Sequence, residues 1–225
     1  SKLKTIVSKN IDVNFEHPMH KGTIYLCQKL KKLQIETGVR LFIDSGCGTG
    51  DGTIAIRKKY PTSIVIGIDK NINRLAKAHR KNYCPNVFFV RSNLIEFWLA
   101  LKSEDIKVDT NYLLYPNPWP KHRHIRRRWH AHPIMGVLMN LSKRLEIRTN
   151  WKIYAMEFCR SIEISCGTPT KFERFQSKIP LTSFEKKYIN SGHDLFQIIY
   201  RPEANENRQH PLVSTTEISS LVFSR

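Results

Sequence analysis

Gly46, Gly48 and Gly50 stand at alternate positions directly after an apolar run, and Asp44 lies two residues before the first of them. Glycines in such a turn let the backbone approach a bound nucleoside, because no side chain stands in the way. A turn that needs positive φ accounts for any single glycine nearly as well, so the reading rests on what accompanies them. Asp69 ends a second apolar run nineteen residues beyond Gly50, placed to accept from a ribose diol. Asp44 selects among nucleosides. A carboxylate beside the turn repels the pyrophosphate of a dinucleotide and attracts a sulfonium or an amino-acid ammonium. The phosphate-binding spacing GxGxxG is also incomplete, since Gly52 stands one position late. The pattern therefore points to S-adenosylmethionine rather than a nicotinamide dinucleotide as cofactor, with Asp44, Gly46, Gly48 and Asp69 on its side. Asn93, after a third apolar run, is a further candidate for the adenine end, and reads equally as a turn-favouring Asn.

A second stretch is more specific. Residues 113–128 read LLYPNPWPKHRHIRRR. Three prolines interleaved with Asn117 and Trp119 make a stiff, extended exit that costs little entropy to order. One amide and one indole held beside a nucleoside pocket suit a base stacked on an aromatic ring. Lys121, Arg123, Arg126, Arg127 and Arg128 follow with no acid among them, and would neutralise phosphates without reading sequence. The plainer alternative is a solvated basic helix start. His122, His124, His130 and His132 invite a metal reading, but no carboxylate or thiolate sits at matching spacing, so no metal is expected.

The whole chain has the same electrical character. Its 225 residues carry 37 Lys and Arg against 19 Asp and Glu, a net charge of +18. Such an excess implies a polyanionic partner, most often nucleic acid and less often an anionic membrane surface. An apolar fraction of 40% excludes general disorder, and no run of about 18 apolar residues exists to span a membrane. The N-terminal stretch has no apolar core of a secretory signal. Five scattered cysteines with no CxxC suggest neither a zinc site nor a disulfide framework, and a reducing cytoplasm fits them best.

The elements that must hold these residues alternate. Residues 24–33 are apolar at helical spacing, 39–43 form a short run before the glycine turn, and Ile54 and Ile56 mark the next helix. Ile64 to Ile68 is a β-branched run, a basic helix is expected over about 71–82, and further strands at 87–90, 112–115, 145–147 and 197–200. Strands alternating with helices predict an α/β fold with a mainly parallel sheet, whose ligands bind at the carboxyl ends of strands. Residues 1–20 read as an N-terminal arm, 21–201 as one domain and 202–225 as a polar tail.

These motifs resemble one family, the bacterial tRNA (guanine-N7-)-methyltransferases (TrmB-like). Its pattern Phe-Pro-Asp-Pro-Trp-Pro-Lys, then Arg-His-x-Lys-Arg-Arg, is similar to YPNPWPKHRHIRRR here. Its Glu-x-Gly-x-Gly resembles Asp44 to Gly48, its Thr-Asp-Trp-x-x-Tyr resembles Thr149 to Tyr154, and its Thr-x-Tyr/Phe-Glu resembles Thr182 to Glu185. The resemblance covers about residues 40–200. It implies a Rossmann-like class I methyltransferase fold with helices on both faces of the sheet, acting on a guanosine of the tRNA variable loop; the sequence leaves monomer and homodimer both open. It further implies that Asn117 faces the transferred methyl group, the nearest thing to a catalytic residue, and shares the cofactor side with Asn93. Lys121, Asn150, Tyr154, Thr182 and Glu185 would hold the target nucleotide, and Arg123, Arg126, Arg127 and Arg128 its phosphates. Three family aspartates are Asn93, Asn117 and Asn150 here, which leaves the pocket less negative. The alternatives are a weakened RNA-binding relative, or a methyltransferase acting on another RNA base position.

Overall fold

Unbroken runs of Val, Ile and Phe are stable as strands only where both faces of a sheet are covered. The strands at the middle of this protein are of that kind. In the computed structural model, which describes residues 1–11, 13–81 and 84–202, every residue of β1 (Leu41–Ser45) and β2 (Ile64–Asp69) is buried. With β3 (Val87–Arg91), β4 (Val108–Leu114), β5 (Ser142–Thr149), β6 (Phe172–Phe175) and β7 (Leu195–Tyr200) they form one seven-stranded sheet in the order β3-β2-β1-β4-β5-β7-β6. The first five strands pair in parallel; β7 runs antiparallel to both β5 and β6.

Side-chain alternation divides β1 between two cores. Leu41 and Ile43 join the large cluster under α2 (Lys21–Thr37), α5 (Leu94–Ser103), α6 (Met135–Asn140) and α7 (Lys152–Cys166). Phe42 points the other way, packing with Ile56 of α3 (Asp51–Lys59). Leu75 and Ala78 of α4 (Ile72–Lys81) extend that second face beside Phe89, and α8 (Ser183–Asn190) lies against β7. The sheet order reverses between β1 and β4, where Asp44 is in register with Tyr112. That reversal opens a crevice beyond the carboxyl ends of the two strands.

The first residues differ from the expected arm. They contain α1 (Lys2–Asn10), whose Leu3, Ile6 and Val7 are buried against Ile125 and Ala131. Spacing of i, i+3, i+4 makes one narrow apolar stripe, easily lost in a stretch otherwise polar. Of the tail, only Pro202 falls within the described residues. Among those residues no helix is long and apolar enough to cross a membrane, and no three metal-ligating side chains converge.

Candidate functional site

The crevice between β1 and β4 is a cleft of about 570 Å³, a size suited to a nucleoside-sized ligand. Its floor is the turn from β1 into α3. Gly46 and Gly48 adopt the left-handed region, with φ of 84° and 57°, and a Cβ on Gly48 would meet no protein atom within 4 Å. That backbone therefore lies bare on the cleft wall. Gly50 is required for a different reason. Its Cβ would sit 2.5 Å from the Phe89 ring and 2.8 Å from Ala78, so the turn can press onto β3 and α4 only without a side chain.

Two carboxylates organise this floor. Asp44 is buried and accepts a 2.7 Å hydrogen bond from Thr53 Oγ1. Burial pushes its pKa up to about 6, the Thr53 bond opposes this, and nearby Asp69 adds to the rise. Asp69 accepts from the backbone N–H of Gly48 at 3.0 Å and of Asn71 at 2.8 Å, and pairs with Arg74 at 3.2 Å. A carboxylate offers about four lone-pair positions, so roughly one remains for a ligand. Arg74 itself lines the cleft. It was legible only as one cation of a basic helix, since nothing local shows which acid it meets.

The opposite wall is the exit from β4. Tyr115 and Trp119 have φ of 50° and 47°, bracketing Pro116, Asn117 and Pro118 with two left-handed residues that are not glycine. Each such residue costs on the order of 1 kcal/mol or more and persists where its surroundings over-determine it. Tyr115 is held by its N–H, which donates to the Arg148 carbonyl at 2.8 Å, and Arg128 supplies the constraint at Trp119. Its guanidinium donates to the Trp119 carbonyl at 3.3 and 3.1 Å and to the Pro120 carbonyl at 3.4 Å. It also pairs with Glu157 and lies over the Trp151 ring. Glu157 in turn meets His130 Nε2 at 3.1 Å. Burial would raise the Glu157 pKa, but its bonds to His130 and Arg128 hold it below the ordinary value.

The residues singled out from the sequence therefore separate into groups. Asp44, Gly46, Gly48, Asn117, Asn150 and Thr182 all line the cleft, and Asp69 is bonded to its floor. Lys121, Arg123, Arg126 and Arg127 are exposed beside it. Four others sit away from the open surface of the cleft. Arg128 is only 4% exposed and fastens the loop rather than facing phosphates. Asn93 caps α5, accepting from Ile95 N–H at 3.0 Å, and does not line the cleft. Tyr154 is fully buried, its ring against His130 and Phe158. Glu185 is also fully buried; it bonds Arg148 at 2.9 and 3.1 Å, and its N–H donates to Thr182 Oγ1. Trp119 is no open stacking surface either, since Arg127 covers it at 4.8 Å and His124 meets it edge-on. The aromatic wall of the cleft is instead Phe184, Tyr188 and Tyr115, with Phe184 and Tyr188 nearly parallel at 27°.

These features fit S-adenosylmethionine. A buried carboxylate suits a cationic ligand group, bare glycine backbone admits a flat nucleoside, and an oriented Asp69 stands at the end of β2.

Comparison with known proteins agrees. Residues 39–198 match a family model described as "Putative methyltransferase". The tRNA (guanine-N(7)-)-methyltransferase of Leifsonia xyli subsp. xyli is 25% identical over 171 residues, covering 71% of this chain and 75% of that protein. The protein of the same name from Methylobacillus flagellatus is 26% identical over 168 residues, covering 71% and 70%. In fold, the chain is similar to the 16S rRNA (adenine(1408)-N(1))-methyltransferase of Catenulisporales acidiphilia, with a TM-score of 0.55 at 15% identity over 81% of this chain and 94% of that one. The 16S rRNA methyltransferase KamB gives 0.55 at 12%, over 84% and 97%.

Proposed function

Because the chain belongs to the methyltransferase family whose model it matches over residues 39–198, we propose that it methylates N7 of a guanosine in the variable loop of tRNA. Its relatives of that name support the reading. The observation that carries it is the cleft's composition. Buried Asp44 forms its floor, and neither His nor Lys is among its lining residues.

Guanine N7 carries a lone pair and no proton at neutral pH, so its attack requires no general base, and the cleft's Asp44 is left to act as a charge partner. S-adenosylmethionine, when bound, supplies an electrophilic methyl group on a positively charged sulfur. The protein's work is then positioning, for which effective molarities of ~10⁵ M are attainable. Asp44 opposes the ligand's positive charge, the glycine turn admits its nucleoside, and Asp69 with Asn71 and Gly48 N–H groups fixes the acceptor for its ribose. Asn117 Oδ1 already accepts from Trp119 N–H at 3.2 Å. Its amide N–H groups remain to donate to guanine O6. This commitment also disfavours attack by an exocyclic amine, which would need the same oxygen as acceptor. Phe184 and Tyr188 offer the purine a flat wall. Asn150 and Thr182 stand on the same rim, with Lys121 and the exposed arginines outside it for phosphates.

The test is direct. Labelled methyl donor, the protein and tRNA lacking N7-methylation should yield 7-methylguanosine on nucleoside mass spectrometry. A different methylated nucleoside, or donor binding without transfer, overturns the reading.

A further inference from the structure

The first helix is not part of the cleft, lies before the residues that match the family, and breaks a rule of helix electrostatics. A helix N-terminus carries partial positive charge and disfavours cations. Yet Lys2 and Lys4 occupy the first turn of α1, which contains no acid. Lys9 follows in its last turn. All three lysines are exposed, while Leu3, Ile6 and Val7 hold the inner face.

That inner face shares one small apolar cluster with Ile125, the buried residue of the 3-10 segment His122–Arg127. Both helices bury one side in the same cluster and turn the other to water. The outer side of the 3-10 segment bears Arg123, Arg126 and Arg127. Among the described residues, none of Lys2, Lys4, Lys9, Arg123, Arg126 and Arg127 has an acidic partner within ion-pair distance. Some surface cations elsewhere are paired, Lys31 and Lys107 with Asp105, Lys32 with Glu36 and Lys81 with Asp51, while others such as Lys77 and Lys187 are not; what sets this group apart is that both of its elements are anchored in one apolar cluster. An unpaired surface of one sign repels itself and is stabilised by a polyanion.

We infer that the outer face of α1 is a second strip of RNA-binding surface, continuous with the arginines beside the cleft, and that it takes the phosphate backbone of the tRNA away from the methylated nucleotide. The inference rests on the proposed tRNA substrate for the identity of the polyanion.

Binding of bulk tRNA is measured for the wild type and for Lys2→Gln/Lys4→Gln/Lys9→Gln across about 50 to 300 mM monovalent salt. Three lost phosphate contacts lower the slope of log affinity against log salt by about 2–3, and weaken binding more than tenfold near 0.1 M. The thermal midpoint of the variant should hold or rise, because two dipole clashes are removed. Lys2→Arg/Lys4→Arg/Lys9→Arg should keep the wild-type slope. An unchanged slope in the Gln variant overturns the inference. So does equal loss of binding in the Arg variant, which indicates a structural role, or a Gln variant that loses affinity for phosphatidylserine vesicles while keeping its tRNA slope. A wild type that binds tRNA with a steep slope yet methylates nothing would sink the functional reading and leave this surface standing.

Discussion

The two walls of the cleft are built on opposite principles. The glycine turn is local: Gly46, Gly48 and Gly50 each take a conformation that their own lack of a side chain permits. The Pro-Asn-Pro-Trp wall is imposed from outside. Tyr115 and Trp119 hold left-handed angles that neither prefers, and Arg128, nine residues beyond Trp119, fastens the loop through its carbonyls. One wall costs little and depends on few partners; the other stores strain and depends on a buried cation held by Glu157.

The largest effect separating the walls should come from Arg128→Ala. Removing it leaves Glu157 without its guanidinium partner and two loop carbonyls without donors, a loss of about 3 kcal/mol in denaturant unfolding. Methyl transfer should fall at least 100-fold, with the salt slope of tRNA binding unchanged. A slope lowered by one would instead mean that Arg128 does meet phosphate. On the other wall, Gly50→Ala forces a Cβ into the Phe89 ring at an angle of +79°. About 2 kcal/mol of stability should go with it, without selective loss of the β4 exit.

An effect of roughly tenfold should follow from Asp44. With a pKa near 6 in the free protein, it is ionised at pH 7 and largely protonated at pH 5. A cationic ligand prefers the ionised form, so donor affinity should weaken as pH falls through 6, by about tenfold between pH 7 and 5. Asp44→Asn should flatten that dependence in calorimetric titration. Because the folded pKa lies above the ordinary carboxylate value, this group favours folding below about pH 4 relative to above pH 6; stability from it declines as pH rises through that window. The smallest effect is expected at Arg126→Ala, an exposed phosphate contact: a few-fold weaker tRNA binding and a slope lower by about one.

Much of the architecture was legible because it is written in periodicity. The runs at 64–68 and 87–90 are strands, that at 112–115 catches only the end of β4, and the acid ending β2 lies where strand length put it. Thr182-Ser-Phe-Glu185 contains the Thr-x-x-Glu spacing of a helix cap, and Thr182 does cap α8. The inward turn of the Glu185 carboxylate onto Arg148 was not legible, since that partner lies thirty-seven positions away in sequence. Asn93 shows the reverse: its local reading, a turn-favouring Asn, fits its place as the cap of α5. Phe184 and Tyr188 are not legible as an aromatic wall, because i and i+4 aromatics on a short helix look like core.

Residue type, spacing and charge thus determined the sheet, the glycine floor and the demand for a polyanion, all of which follow from backbone sterics and net charge. Only tertiary structure decided which of several equivalent arginines would be withdrawn from solvent. Arg128 and Arg127 are adjacent and chemically identical, and what distinguishes them is that one meets Glu157 and two carbonyls across the fold while the other lies over an indole at the surface. A charge states what it can bind; the packing around it settles what it does.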